Sequence, residues 1–473
     1  MADRALERED VQGLAVRGFG KLPFARYLLG EIADPHRARA WLRSLAAQVN
    51  TGASREACEA LNVAFTPSGL AKLGLGAETL GLFSMEFLDG MTAEHRRRVL
   101  GDTDDSAPEG WSWGAPGGAP LDILLLVYAQ SPAALDNALE VRDLALEGGG
   151  IRLVRSLETA ELDDREHFGF RDGVSQPSFE GLGPAPAAGD VRAGELLLGH
   201  RNEYKRFTPR PLVPGSADPQ RILSPDAEGS EKRDLGRNGT YLVFRQLTQD
   251  VHSFWSFCEQ ATRRSDGTID EPARVRLAAK LVGRWPGGAP LTLAPESDDP
   301  ELSQANDFGY FHSDRDGLRC PIGAHIRRAN PRDSLDPDPG SRRSVEVNKR
   351  HRLLRRGRKY GALLPRPDLL SAGVEEIWRD EDRGLHFIAL AANISRQFEF
   401  VQHTWINDPR FGGLADQPDP LMSPAPPGGR TFTVQATPVR RRYSGLPRFV
   451  EVRGGAYFFL PSVRALRYLA TLS

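Results

Sequence analysis

The feature that most restricts the fold is a repeated unit: an apolar strand that ends in an acidic turn and runs into a helix. Residues 25–32 (ARYLLGEI) read as a buried strand, and Asp34-Pro35 starts a helix that continues to about residue 48 with Ala and Leu at helical spacing. Residues 240–247 (TYLVFRQL) repeat the strand, and Asp250 leads a helix through about residue 262. A second unit also occurs twice. Residues 121–129 (LDILLLVYA) precede a helix opened by Ser131-Pro132, and residues 385–391 (LHFIALA) precede a helix over 394–406. A short, edge-like strand is expected at 151–157. Residues 64–100 read as short helices joined by glycine turns, with the basic run 95–98 on a solvated face or complementing a helix C-terminus.

Two such units in each half imply an α+β fold built from duplicated ferredoxin-like domains, with antiparallel sheets and peripheral helices. The expected halves are 11–215 and 235–473, joined through a loop-rich region at 181–234. A chain of 473 residues is long enough for two substantial cores. Residues 330–344 and 415–430 are further proline- and glycine-rich loops. From 342 to 359 there are nine Lys or Arg and one Glu, but no interleaved aromatics, so the run reads as solvated surface. The net charge of −2 gives no support to nucleic-acid or membrane-surface binding. No uncharged apolar run is long enough to span a bilayer, and the mixed-charge N-terminus has no signal-peptide pattern. Cys58, Cys258 and Cys320 are far apart and form no CxxC or CxxCH pattern. The expected location is the cytoplasm.

Three stretches carry candidate chemistry. The first is CPIGAHIRRANPR (320–332), where His325 follows a small apolar approach and Arg327 and Arg328 come just behind. A neutral imidazole on such a wall suits iron or zinc, and the arginines suit carboxylates; a core histidine beside a basic turn fits the same residues. The second is EHFGFRDGVSQP (166–177), in which glycines frame Arg171-Asp172 and allow a tight path; an ordinary Asp-Gly turn is the alternative. The third is RHRLLRRGRKYG (350–361), equally readable as a basic surface strand. Together they offer an imidazole, a glycine-framed carboxylate and a guanidinium. Heterolytic peroxide cleavage needs such a set: a metal ligand, a base that moves a proton between the peroxide oxygens, and a fixed cation for the charge that develops.

These stretches resemble the dye-decolorizing (DyP-type) haem peroxidases. GFRDG matches that family's GxxDG motif, CPIGAHIRRANPR is similar to its proximal-histidine segment, and LLRRGRKYG to its distal-arginine segment. NGTYLVFRQL, VGRWPGG (282–288) and GLHFIALAANISRQFEFVQ are also similar. The likeness runs from about residue 10 to the C-terminus, and the arginine-rich insertion resembles the longer bacterial subgroup. The resemblance implies non-covalent haem b held by His325, with Asp172 as distal acid–base residue and Arg355, rather than its neighbour Arg356, as distal arginine. Leu385 and Phe387 would line the distal face. Glu399, with Asp408 in reserve, is the expected acceptor for the other imidazole nitrogen, and Arg327 and Arg328 are expected at the propionates, or paired with Asp333 or Asp336. His167 is placed either near the haem edge or in packing, and His351 and His403 are expected to be structural. Cys320 is expected to be buried rather than a ligand. The implied activity reduces hydrogen peroxide and oxidises bulky aromatic donors (dyes and phenols) in single-electron steps, with surface oxidation through Trp405, Trp378 or Tyr360 as one route. A haem carrier or sensor without turnover is the alternative.

Overall fold

A computed structural model describes residues 6–54, 58–183, 190–363, 382–425 and 428–473. The expected units form where the sequence places them. Strand β1 (Phe24–Ile32) leads into helix α1 (Pro35–Leu45), and Asp34 caps that helix by accepting the Arg37 amide at 3.0 Å. A carboxylate at this position satisfies one of the unpaired first-turn donors, and Pro35 loses nothing at the first helical position. Strand β2 (Glu59–Phe65) follows, then β3 (Ile123–Ala129), α2 (Pro132–Gly148) and β4 (Ile151–Glu158). The order β4-β1-β3-β2, antiparallel throughout, is a ferredoxin-like unit.

The second half repeats it. Strand β5 (Thr240–Gln249) leads to α3 (Val251–Thr262), capped by Asp250. Two short strands, β6 (Leu354–Arg355) and β7 (Arg358–Tyr360), then β8 (Gly384–Ala391) and β9 (Val450–Leu460), complete the unit in the order β9-β5-β8-β7, with β6 also pairing with β8. Strand β9 meets β2 at Phe459 and Phe65, so both units share one nine-stranded sheet. The region between the halves carries only a small three-stranded sheet from Leu212–Val213, Ser224–Pro225 and Arg233–Asp234.

The sheet curls until its two ends meet. The His386 Nε2 of β8 donates to the Glu158 carbonyl at 2.9 Å, and the Ala160 amide donates to the Lys359 carbonyl at 2.8 Å. Strand periodicity then sorts side chains into two cores. Leu28, Leu125, Val127, Val243 and Ala389 pack outward under the helical layer. Tyr27, Leu29, Leu126, Tyr128, Phe244, Ile388 and Phe458 pack inside the curl.

Several expectations change. Residues 64–65 end a strand before the short helices begin, and both β2 and β9 are elements that the sequence pattern did not reveal. The helix expected over 394–406 is present as two π-helical turns, Ser395–Glu399 and Val401–Ile406, with Glu399 bonded to Ile394 and Asn407 to Gln402, each at 2.9 Å. Such wide turns are rare and cluster at functional sites. Arg96 is not solvated: it is buried between Glu399 and Asp89. Among the described residues no helix is long and apolar enough to cross a membrane.

Gly384 starts β8 where the backbones nearly touch. A Cβ there would lie 1.8 Å from the Leu247 carbonyl oxygen. Gly384→Ala is expected to lower stability by about 1–3 kcal/mol, the usual range for forced overpacking. Thermal or denaturant unfolding of the two proteins measures the difference.

Candidate functional site

His325 opens the short helix His325–Ala329. Its Nδ1 lies 3.0 Å from Oδ2 of Asp419, a carboxylate with no solvent exposure. The other Asp419 oxygen accepts the Leu421 and Met422 amides at 2.9 and 2.8 Å. Burial pushes this carboxyl up, but the hydrogen bond from His325, the Arg328 guanidinium and the Met422 amide outweigh it and hold it below the ordinary range. An ionised Asp419 draws the imidazole proton to Nδ1 and leaves the Nε2 lone pair for a ligand. The expectation for this acceptor is therefore corrected. Glu399 instead accepts from Arg96 Nη1 and Tyr457 Oη, each at 2.9 Å, and the Asp408 carboxylate takes the Arg410 amide. Glu399 ends the first π-helical turn and faces the helix that carries Arg96.

Arg327 and Arg328 are also corrected. Arg327 donates to the Cys320 carbonyl at 2.8 Å, reaches Asp314 at 3.3 Å, and stacks on Tyr310. Arg328 has no exposure and donates to the carbonyls of Trp405, Asp408 and Gln417. Neither meets Asp333, which caps the Tyr310 and Phe311 amides. These guanidiniums anchor the histidine helix and are used up in doing so. Cys320 is fully buried, and burial pushes its thiol up to about 12, so it stays protonated and offers no thiolate.

The facing wall comes from GFRDG. Gly169 (φ 96°) and Gly173 (φ 79°) adopt the left-handed backbone that turns the loop. The Arg171 amide bonds to the Pro286 carbonyl, and its guanidinium pairs with Asp164 at 2.6 Å. Glu166, which the sequence did not single out, ties the loop to the sheet. It accepts the Phe168 and Phe170 amides at 2.8 and 2.9 Å and the Gln249 side chain at 2.7 Å. Asp172 then accepts from Arg355 Nη1 at 3.0 Å and from the Gly173 amide at 2.6 Å. Partial burial raises the Asp172 carboxyl, and the Arg355 guanidinium and the Gly173 amide more than reverse this.

Arg355 lies opposite Ala389 in register, on the sheet face that also carries Leu385 and Phe387. Its neighbour Arg356 points the other way and donates to the Leu14 carbonyl, as alternate strand residues must. The side chains of Asp172, Arg355 and His325 keep 46%, 37% and 30% of their exposure. Leu385 and Phe387 stay half-buried on a strand that is otherwise closed. Arg332 and Arg352 act on the same region: burial, then the charges of Arg332 and Arg355, push Arg352 down to about 10. No salt bridge neutralises Arg332 or Arg352 among the described residues.

The other candidates fall elsewhere. His167 is buried against the Tyr360 carbonyl, and His351 bonds to the Arg396 carbonyl and stacks on Phe400, so both pack. His403 is exposed. Trp405 and Tyr360 are only 5% and 6% exposed, which removes them as surface oxidation sites, and Trp378 lies outside the described residues.

No protein-family model matches the chain. It is similar to the multifunctional dye peroxidase DyP2 of Amycolatopsis sp., with 31% identity across 96% of this chain and 91% of that protein. It is also similar to a dye-decolorizing peroxidase of Mycena epipterygia, with 30% identity across 87% of this chain and 76% of that protein. The structure superposes on that of an ancestral D-type dye-decolorizing peroxidase with a TM-score of 0.76, 28% identity, and coverage of 98% and 99% of the two chains.

Burial pushes the Glu166 carboxyl up to about 7, against the pull of its three donors. A proton held more tightly in the folded chain stabilises the fold at low pH. That contribution fades as pH rises from the ordinary glutamate range, about 4.3, through the folded value. Glu166→Gln removes the titration, so the wild-type Tm should fall more than the variant's across this window. Equal falls in both proteins would assign the effect to another group.

Proposed function

The chain belongs to the dye-decolorizing peroxidases, and from that premise we propose that His325 and Asp419 hold haem b on one side, with Asp172 and Arg355 acting on hydrogen peroxide from the other. What supports the reading is a His325 whose Nδ1 is held by buried Asp419, leaving Nε2 for a metal, together with the Asp172–Arg355 carboxylate–guanidinium pair. The donor set fits an iron porphyrin: one neutral imidazole, no competing thiolate, half-buried Leu385 and Phe387 as apolar wall, and the Arg352 guanidinium for a propionate. Arg352, whose one hydrogen bond to the Ser175 carbonyl is 3.4 Å long, takes the role first expected for Arg327 and Arg328. Haem, when bound, supplies the redox chemistry that accepts both oxidising equivalents of peroxide and passes them on singly.

The protein's part is positioning and proton transfer. Asp172, ionised by its neighbours, takes a proton from one peroxide oxygen and returns it to the departing one. Arg355 is fixed by its strand and by the Gln176 side chain, which accepts its amide at 3.0 Å, and stabilises the charge on the departing oxygen. Asp419 makes His325 a stronger donor through the shared proton. A carrier has no use for an acid–base residue held at 3.0 Å from a guanidinium. The donors are aromatic dyes and phenols. The cysteines are unpaired and Cys58 is exposed, which supports a reducing compartment such as the cytoplasm.

Haem titration followed by mixing with peroxide tests the assignment. His325→Ala should abolish the histidine-ligated spectrum, and an unchanged spectrum would move the ligand elsewhere. Asp419→Ala should weaken haem retention about 10–100-fold, the usual cost of losing a ligand's partner. Asp172→Asn or Arg355→Leu should keep the haem spectrum and slow the peroxide step by about 100-fold or more. Normal peroxide rates in both variants would overturn the distal roles of Asp172 and Arg355.

A further inference from the structure

The motif VGRWPGG (282–288) supplies no side chain to the proposed distal pair, yet it backs the GFRDG turn. Its own bonds brace it. The Trp285 amide donates to the Ala289 carbonyl and the Gly288 amide to the Trp285 carbonyl, each at 2.9 Å. The Trp285 indole donates to the Ala294 carbonyl at 2.7 Å, and Arg284 Nη1 donates to the carbonyls of Gly288 and Ala305 at 2.7 and 3.0 Å. Pro286 is buried, and its carbonyl accepts the Arg171 amide at 3.1 Å. A rigid piece of backbone thus stands directly behind the residue that precedes Asp172.

The turn itself is tied down almost atom by atom. From Phe168 to Asp172 every amide has an acceptor, and the carbonyls of Phe168, Gly169 and Phe170 have donors. Most of these bonds are local. The Glu166 carboxylate takes the Phe168 and Phe170 amides, and the Glu166 backbone pairs with the Gly169 amide and the Phe170 carbonyl at 2.9 and 3.0 Å. The Asp172 amide donates to the Asp164 carbonyl at 3.0 Å, and Trp255 on α3 reaches the Phe168 carbonyl at 3.2 Å.

The Gly169 carbonyl is satisfied differently. It accepts from Arg165 Nη1 at 2.7 Å, and the same nitrogen donates to the Pro286 carbonyl, 121 positions away. Together with the Arg171 amide this fills both lone pairs of Pro286. Two carbonyl oxygens drawn to one nitrogen repel each other, and a cation between them reverses the sign; bonds from a charged donor are about twice as strong as neutral ones. The Arg165 side chain keeps 23% of its exposure, so it joins the two loops from their surface rather than filling a core.

We propose that Arg165 is a positioning residue for the peroxide step: by clamping the Gly169 carbonyl to the Pro286 carbonyl, it fixes the turn from which Asp172 reaches Arg355. The inference rests on the peroxidase reading and on the distal role of Asp172. The hydrogen bonds of Arg165 go to backbone carbonyls, so it acts through the loop and not on the reacting oxygens. Asp172 must hold its place against Arg355 at 3.0 Å, and a shift of about 1 Å in such a group costs up to about 100-fold in rate.

Rapid mixing of the haem-loaded enzyme with hydrogen peroxide, beside steady-state oxidation of a phenol, tests this. Arg165→Met keeps an apolar stem and removes the donors. It should keep the haem spectrum, slow the peroxide step about 10–100-fold, and leave kcat/KM for the phenol unchanged. Arg165→Lys should recover most of the rate, because both bonds leave from one nitrogen and an ammonium can replace it. In an Asp172→Asn background Arg165→Met should cost nothing further, since the residue it positions is already disabled. A wild-type peroxide rate in Arg165→Met, equal slowing in both backgrounds, or a lysine variant no faster than the methionine one would overturn the proposal. An Asp172→Asn enzyme that reacts at the wild-type rate would instead overturn the distal role of Asp172, and the proposal with it. A wild type whose absorption does not respond to peroxide at all would overturn the peroxidase reading beneath both.

Discussion

The hydrogen bond between His325 and Asp419 is the constraint on which the rest of the site depends. A carboxylate with no exposure is expensive unless every lone pair is used, and here one oxygen faces the imidazole while the other takes two amides. The two residues are 94 positions apart, so the fold must bring the segment around Asp419 under the histidine helix. Buried arginines do this work. Arg328 gathers the carbonyls of Trp405, Asp408 and Gln417, and Arg430 gathers those of Asp419 and Ser423. Each guanidinium offers several rigidly placed donors to loop carbonyls that have no strand or helix to satisfy them.

Duplication supplies the frame, and departures from symmetry supply the chemistry. Both halves have the same strand order, yet the proposed iron ligand and the proposed distal arginine lie in the second, one in the long insertion after β5 and the other on the short strand β6 that ends it. The first half contributes Asp172 from the loop that follows its last strand. That loop is held by Glu166 to Gln249 at the end of β5, the second half's first strand. The proposed distal pair is therefore assembled across the two repeats, and a ferredoxin-like unit alone would present half of it.

Strand β8 is where the two cores meet the site. Its odd residues line the candidate haem space, and its even residues enter the closed interior with Tyr27 and Phe244. The period of two that makes a sheet also puts different surroundings on neighbouring residues. Arg355 and Arg356 show the same logic: one reaches Asp172, the other a backbone carbonyl near the N-terminus.

The amino-acid sequence by itself determined what is local. The Asp34-Pro35 and Asp250 starts, the apolar run of β3 and the twofold strand–helix pattern need only near neighbours, and they led to the duplicated fold. His325, Asp172 and Arg355 could be named as candidates because each sits in a short stretch with its own backbone or charge signature, and the family resemblance chose their roles. Tertiary structure alone decided who meets whom. Asp419 lay unmarked in a proline-rich loop, Glu399 was claimed by Arg96 and Tyr457, and Arg327 and Arg328 were claimed by buried carbonyls. Strands β2 and β9 were missed because their alternation is blurred by burial on both faces. Side-chain partners far apart in the chain are chosen by packing and by the cost of unpaired buried charge, and neither is written in local spacing.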